Sequence, residues 1–148
     1  SYFYWLRGNS RLADNSVAEA IQDYTEAIAQ QPNYLEAYSN RAGAYFQAGD
    51  IRSAILDYDK TLRISPNHAK SYYNRAAGKA SIGDFAGALS DYDEYLKRIP
   101  LDGKALTDRG MVRFSLKDTA GACADWKIAA KAGSADAAQF LQQVGRQE

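Results

Sequence analysis

Residues 49–66 read GDIRSAILDYDKTLRISP, and the same pattern returns 34 positions later, at residues 83–100, as GDFAGALSDYDEYLKRIP. The prolines of the chain keep the same interval of 34, at Pro32, Pro66 and Pro100. A fixed period of this length is the signature of a repeat protein, in which each copy forms one small structural unit. The sequence therefore predicts an array of 34-residue repeats.

The period extends over the chain as four aligned columns, which hold an arginine, an alanine, an aspartate and a large aromatic residue. Their members are Arg7, Arg41, Arg75 and Arg109; Ala20, Ala54, Ala88 and Ala122; Asp23, Asp57, Asp91 and Asp125; and Tyr24, Tyr58, Tyr92 and Trp126. We predict a single domain over 1–148, with repeats at residues 1–34, 35–68, 69–102 and 103–136 and a C-terminal capping helix at 135–146.

Apolar residues within one repeat recur at intervals of three and four, which is the spacing of an amphipathic helix. In the second repeat these residues are Tyr38, Ala42 and Tyr45, and then Ile51, Ala54, Ile55, Tyr58 and Leu62. Gly49 and Asp50 separate the two runs, where glycine can end one helix and aspartate can cap the next. Each repeat is therefore predicted to form two helices, and the fold class to be all-α.

This pattern resembles the motif of the tetratricopeptide repeat family, and the residues that carry the resemblance are Tyr38, Ala42, Tyr45, Ala54, Tyr58 and Pro66. The resemblance implies a right-handed α-solenoid of helix–turn–helix repeats, whose first helices line a concave groove. It also implies a protein–protein interaction module, an adaptor or scaffold, that binds an extended peptide segment of a partner protein in that groove.

Composition and charge argue against several other classes of protein. The 148 residues carry 18 Lys and Arg against 18 Asp and Glu without a dense basic run, so nucleic acid is not an expected partner. No stretch approaches the roughly 18 apolar residues of a membrane span. One cysteine and one histidine cannot build a disulfide or a structural zinc site, and we predict no metal and no cofactor. Because Ser1 stands where an initiator methionine would, we expect upstream residues to have been removed.

The residues that catalysis would need do not come together in the sequence pattern. His68 lies in a turn after Pro66, and carboxylates such as Asp57 and Asp59 are two positions apart on a helix and so point to different faces. The glycines lack the following Lys-Ser or Lys-Thr of a phosphate-binding loop. We predict a non-enzymatic protein with no catalytic residue.

Candidate binding residues follow from the phase of the first helices, which the family resemblance turns toward the groove. They are Trp5, Asn9, Asn40, Phe46, Lys70, Tyr73, Asn74, Lys104, Asp108 and Met111. Asn40 and Asn74 are the central pair, because an asparagine amide can hold a peptide backbone with both its donors and its acceptor. The aromatic residues would receive apolar side chains, and the lysines an acidic group. The alternative is that the asparagines are solvated or cap neighbouring turns.

Some members of this family bind the acidic C-terminal tail of heat-shock chaperones through a clamp of two lysines, two asparagines and an arginine. By phase, Asn9, Asn40 and Lys70 match three of the five positions. Trp5 stands where a lysine is expected and Asn74 where the arginine is expected, so both replaced groups are cations. The sequence therefore favours a more general groove for an unstructured protein segment.

Self-association is a second function that the sequence allows. Tyr2, Phe3 and Trp5 are predicted to form an exposed apolar edge of the sort that marks an interface. A homo-oligomer, or a structural assembly through this edge, is therefore the alternative to peptide binding.

The arginine and aspartate columns predict a ladder of ion pairs. A guanidinium fits a carboxylate in a bidentate way, so each arginine is expected to reach the aspartate of its own repeat or one in a neighbouring repeat. We expect this ladder to be structural rather than to bind phosphates or carboxylates of a ligand.

Overall fold

A computed structural model describes residues 1–146, and these residues form nine α-helices and no strand. The helices are α1 (Tyr2–Ala13), α2 (Val17–Gln30), α3 (Leu35–Gln47), α4 (Ile51–Ile64), α5 (Ala69–Ser81), α6 (Phe85–Arg98), α7 (Gly103–Ser115), α8 (Thr119–Lys131) and α9 (Ala135–Val144). The all-α fold class that the sequence predicts is confirmed. None of the described helices is both long enough and apolar enough to cross a membrane.

Turn residues explain where one helix ends and the next begins. Gly49 and Gly83 follow α3 and α5 with φ angles of 81° and 83°, in the left-handed region that glycine adopts without steric cost. Asp50 and Asp84 then cap α4 and α6, and each carboxylate accepts the backbone N–H three residues later. Between α1 and α2 the left-handed residue is Asn15, with a φ of 60°. These turn residues therefore explain why the chain forms pairs of helices at the positions that the sequence pattern predicts.

The helices are divided between two compact units, Ser1–Gly78 and Lys79–Glu148. The first unit contains α1 to α4 and α5 as far as Gly78, and the second contains the rest through α9. In both units small residues pack beside buried aromatic rings. The buried residues are Ala20, Tyr24 and Ala44 together with Ala42, Ala54 and Tyr58 in the first unit, and Ala122, Trp126 and Ala129 in the second.

Two glycines lie where the first helix of a repeat approaches an aromatic ring on the second helix of the same repeat. A Cβ added to Gly8 would lie 2.7 Å from Tyr24 Cε1, and one added to Gly110 would lie 2.3 Å from Trp126 Nε1. The Trp126 ring has little room to withdraw, because it is buried and its indole N–H donates to the Thr107 carbonyl at 3.1 Å. Glycine therefore fits these two positions and a larger residue does not.

The ion-pair ladder is present in the first unit. Arg7 donates through Nε and Nη2 to Asp23, at 3.0 and 2.6 Å. Arg41 donates in the same way to Asp57, at 2.7 and 2.8 Å, and also reaches Thr25 of α2 through Nη1 at 2.9 Å. One guanidinium on α3 therefore holds both α4 and α2.

The second unit repeats this arrangement. Arg109 donates through Nε and Nη2 to Asp125, at 2.9 and 2.7 Å, and through Nη1 to Asp93 of α6 at 2.8 Å. In the first unit the Nη1 of Arg75 likewise donates to Asp59 of α4 at 2.6 Å. The second link, from Arg41, Arg75 and Arg109 back to the preceding helix, extends the ladder that the two sequence columns predict.

The contact between Gly110 and Trp126 predicts that Gly110→Ala lowers the free energy of unfolding by about 1–3 kcal/mol, because the added methyl group overpacks a buried ring. Gly43→Ala is the matched control, since a Cβ added to this helical glycine meets no atom within 4 Å. We expect that variant to be unchanged, or more stable by up to about 1 kcal/mol through better helix propensity. Urea denaturation of both variants measures the difference, and equal stabilities would contradict the packing described here.

Candidate functional site

A groove in the first unit brings together four of the predicted binding residues. We call it the amide groove, because Asn9 of α1, Asn40 of α3 and Asn74 of α5 line it together with Lys70. Its volume is about 440 Å³, and its other lining residues are Leu12, Ala13, Tyr24, Ser39, Gly43 and Tyr58. Successive first helices therefore place one asparagine each on the same wall.

The side chains of Asn9 and Asn40 form one hydrogen-bonded network with Tyr24. The Tyr24 hydroxyl donates to Asn9 Oδ1 at 2.8 Å, and Asn40 Nδ2 donates to the same oxygen at 2.7 Å. A carbonyl oxygen has two lone pairs, so this acceptor is already satisfied. The amino group of Asn9 donates to no described residue.

Buried tyrosine hydroxyls support the other two asparagines. Burial raises the pKa of Tyr24 to about 12, and a hydrogen bond from the Asn40 amide opposes part of that rise. Burial also raises the pKa of Tyr58 to about 12, with a hydrogen bond from Asn74 acting in the opposite direction. Neither asparagine is simply solvated, because each is held by a tyrosine of the preceding helix.

A repeated spacing in the sequence accompanies this network, although the helical phase of the asparagines does not reveal it. Tyr24 precedes Asn40 by 16 positions, and Tyr58 precedes Asn74 by the same interval. Thr25 and Arg41, which are hydrogen-bonded, have this interval as well. The interval of 16 also separates Arg41 from Asp57 within one repeat, so it indicates a contact between neighbouring helices rather than one particular pair of helices.

Lys70 gives the amide groove its charge. It is the one charged residue among those that line the groove, it is exposed, and no residue between 1 and 146 forms an ion pair with it. An ammonium group next to amide donors, without a carboxylate in the lining, attracts carboxylates and carbonyl oxygens.

The other predicted residues of the first unit lie outside the lining of the amide groove. Trp5 packs between two tyrosines, with ring centroids 5.7 Å from Tyr2 and 6.2 Å from Tyr34, and it covers part of the core. Phe46 is partly exposed beside α5, and Tyr73 is half-buried. The aromatic residues that were expected to receive apolar side chains are therefore separate from the asparagines.

In the second unit, the three predicted residues divide between two depressions. Lys104 and Asp108 form an ion pair at 3.2 Å and line a depression with the turn between α8 and α9. Met111 instead lines an apolar depression with Phe114, Trp126 and Phe140. Their spacing on α7 predicted that the three residues share one face. Lys104 instead pairs with Asp108 four residues later, and Met111 lies in a depression that α9 helps to form.

Comparison with known proteins gives one family. A family model described as tetratricopeptide repeat matches residues 6–69 and 73–137. Among curated proteins, Hsp70-Hsp90 organizing proteins 1 and 3 of Arabidopsis thaliana are 46% identical over 43 residues and 40% identical over 45 residues. These segments cover 29% and 30% of this chain and 8% of each relative, so the likeness concerns a small part of those proteins.

Solved structures share the fold at low sequence identity. MamA from Desulfovibrio magneticus RS-1 has a TM-score of 0.91 at 21% identity, over 95% of this chain and 80% of that one. The first tetratricopeptide domain of Spaghetti (RPAP3), bound to the HSP90 peptide SRMEEVD, has a TM-score of 0.75 at 23% identity, over 78% of this chain and 92% of that one. At these identities the likeness establishes the fold alone.

The raised pKa of Tyr58 predicts a specific loss of stability at high pH. The folded pKa of about 12 lies above the ordinary value of 10, so the neutral hydroxyl stabilises the fold fully below about pH 10, and this contribution is lost as the pH rises toward 12. Relative to Tyr58→Phe, the wild type should lose up to about 1.4 kcal/mol per pH unit in that window. Urea denaturation at several pH values measures this, and a constant difference between the two proteins would contradict burial of the hydroxyl.

Proposed function

Because the chain belongs to the tetratricopeptide repeat family, whose fold is a protein–protein interaction module, we propose that it is a non-enzymatic adaptor that binds an extended peptide in the amide groove. The observation that carries the proposal is the alignment of Asn9, Asn40 and Asn74 on one wall beside Lys70, whose ammonium group pairs with no carboxylate of residues 1–146. The partner is a protein segment, and no cofactor takes part.

The polar groups of the groove suit a peptide backbone. The amino group of Asn9 donates to a ligand carbonyl or carboxylate, because its own oxygen is occupied. The groove contains no competing carboxylate, so an acidic side chain or a carbonyl of the ligand meets Lys70. Individual hydrogen bonds contribute only about 0.5–1.5 kcal/mol each, so several of them must act together.

Preorganisation supports the same conclusion. The hydroxyls of Tyr24 and Tyr58 fix the side chains of Asn40 and Asn74 before a ligand arrives. A side chain that is already ordered loses less conformational entropy on binding. An open groove with fixed donors therefore fits an unstructured peptide better than flexible surface amides would.

The chaperone-organizing relatives and the domain bound to SRMEEVD suggest a narrower form of this function, in which the ligand is an acidic tail. Asn9, Asn40 and Lys70 are available for it, while Trp5 is packed between tyrosines and Asn74 is held by Tyr58. Because neither of these two residues supplies a cation, we propose a segment with fewer acidic groups than that peptide.

Affinity capture from a cell extract tests the proposal, with the wild type beside Lys70→Glu. Lys70 forms no ion pair with residues 1–146, so the variant is expected to melt like wild type while losing more than about tenfold in affinity, through loss of a charge-assisted hydrogen bond. Lys127→Glu is the matched control, because it makes the same change on an exposed residue of α8.

Partners retained by wild type and by Lys127→Glu, but lost from Lys70→Glu, would support binding in the amide groove. Equal recovery from all three proteins would overturn it. Synthetic SRMEEVD then separates the two forms of the function by isothermal titration calorimetry. Tight binding that Lys70→Glu abolishes would favour the acidic tail over the more general segment.

A further inference from the structure

The apolar depression of the second unit occupies the same place in its repeat as the amide groove occupies in the first unit. Its lining residues are Met111, Phe114, Trp126, Phe140, Gln143 and Val144. Three of them stand three repeat lengths after residues that line the amide groove, and the pairs are Asn9 and Met111, Leu12 and Phe114, and Tyr24 and Trp126. Corresponding positions of α1 and α2, and of α7 and α8, therefore line both sites.

Helix α9 forms the wall of the apolar depression that α3 forms in the amide groove. Phe140 is the sixth residue of α9, as Asn40 is the sixth residue of α3, and each lines its own site. The ring centroid of Phe140 lies 5.2 Å from that of Trp126, just as Asn40 meets the tyrosine at the corresponding position of α2. The last described helix therefore completes a surface site in addition to packing on α8.

The amide groove shows that a site of this kind stays open when further helices follow it. In the first unit α4 and α5 come after α3, and Asn40 and Gly43 are still partly exposed. These positions lie on the side of a first helix that the next second helix does not cover. The exposure of the apolar depression is therefore a property of its place within the repeat.

The lining of the apolar depression carries no charge. None of its residues between Met111 and Val144 is ionisable, and the indole N–H of Trp126 is bound to the Thr107 carbonyl at 3.1 Å. Met111 and Phe114 remain 42% and 41% exposed. Large apolar side chains that stay exposed around one concave site mark a binding surface.

We propose that the apolar depression binds one large uncharged side chain, that of leucine, phenylalanine or methionine, from an extended peptide. Its volume of about 190 Å³ is below the roughly 300–1,000 Å³ of sites that enclose a whole small molecule, and suits a single side chain. The peptide as the class of ligand rests on the proposed function of the amide groove. The location of the site and its apolar selectivity rest on the depression itself.

Desolvation gives the site its selectivity. A charged or amide side chain would lose its hydration between the rings of Phe114 and Phe140 and find no hydrogen-bond partner there. Met111 has an unbranched and polarisable side chain, so it adapts to branched and to aromatic groups alike. The exposed amide of Gln143 is left to hold the peptide backbone at the rim. The depression therefore selects size and apolar character.

NMR of the 148-residue protein observes this site directly, because the chain contains one methionine and two tryptophans. The ¹³C-methyl signal of Met111 and the indole N–H signal of Trp126 report on the depression, and the indole signal of Trp5 is the reference in the first unit. The probes are the peptides Ac-Gly-Ser-Gly-Leu-Gly-Ser-Gly-NH₂ and the same sequence with asparagine in place of leucine. Asparagine has nearly the shape of leucine but is polar.

We expect the leucine peptide to shift the signals of Met111 and Trp126, with a Kd on the order of millimolar. The asparagine peptide should bind about tenfold more weakly, because only the leucine side chain gains from leaving water. The signal of Trp5 should not respond to either peptide.

Three variants test the location of binding, and the melting temperature of each is measured first. Met111→Glu should weaken binding of the leucine peptide more than about tenfold, with Trp126 as the reporter. Ile128→Glu is the matched control, because it makes the same change on a residue of α8 that is 43% exposed and outside the lining. Gln143→Glu places the charge at the exposed rim, and should also weaken binding even if Met111→Glu melts at a lower temperature.

Equal affinity of the two peptides, equal responses of Trp5 and Trp126, or equal binding by all three variants would overturn the proposal. So would the absence of any shift at about 10 mM peptide. Isopentyl alcohol that binds as tightly as the leucine peptide would assign the site to small apolar molecules instead. A Met111 signal that depends on protein concentration, with a dimer in light scattering, would assign it to a second copy of the chain.

The same titration keeps this inference separate from the proposed function. The side-chain amide signals of Asn40 and Asn74 report on the amide groove, which shares no residue with the apolar depression. A protein that captures partners through Lys70 but shows no response at Met111 would retain the proposed function and lose this inference.

Discussion

Buried aspartates on the second helices restrict how neighbouring helices can pack. Asp23, Asp57 and Asp125 are almost fully buried, and a carboxylate in such a position is tolerated only with a charged partner that satisfies it. Arginine on the adjacent first helix meets this need with two parallel hydrogen bonds, which fix both distance and orientation. The register between the two helices of a pair is thereby determined by charge as well as by packing.

The third guanidinium nitrogen extends this constraint from one helix pair to the next. Arg41 binds Thr25 of α2 while it holds Asp57 of α4, so α3 has a defined position relative to both helices. Asn40, one residue before Arg41, is then brought to Tyr24 and Asn9. The amide groove is therefore a consequence of the ladder, and its donors are ordered by the same contacts that stabilise the fold.

Much of this could be predicted from the sequence, because the period fixes which residues are equivalent. The helices, the glycine and aspartate turns, and the pairing of Arg41 with Asp57 all follow from local spacing or from a repeated column. The surroundings of the aromatic and charged candidate binding residues were harder to predict. Trp5 packs into a tyrosine cluster and Lys104 pairs with Asp108, and both outcomes depend on side-chain neighbours that helical phase does not specify.

The tyrosine partners of the asparagines were missed for a related reason. Phase assigns a residue to a face, but it does not say which residue of the preceding helix meets it. The ring of Tyr24 is buried in the core, and its hydroxyl, at the edge of that core, is the atom that reaches Asn9. A buried tyrosine places its ring among apolar residues and its hydroxyl beside a polar partner. A repeated column of tyrosines can therefore position the polar side chains of a binding site as well as fill the core.

A double-mutant cycle on Arg41 and Asp57 measures how strongly the two side chains depend on each other. If the pair fixes the helices as described, Arg41→Ala and Asp57→Ala should each lower the free energy of unfolding by about 3–5 kcal/mol, because each leaves one buried charge without its partner. The double variant should then be little less stable than either single variant. Fully additive losses would show that the two side chains act independently, and that this ion pair does not hold α3 and α4 together.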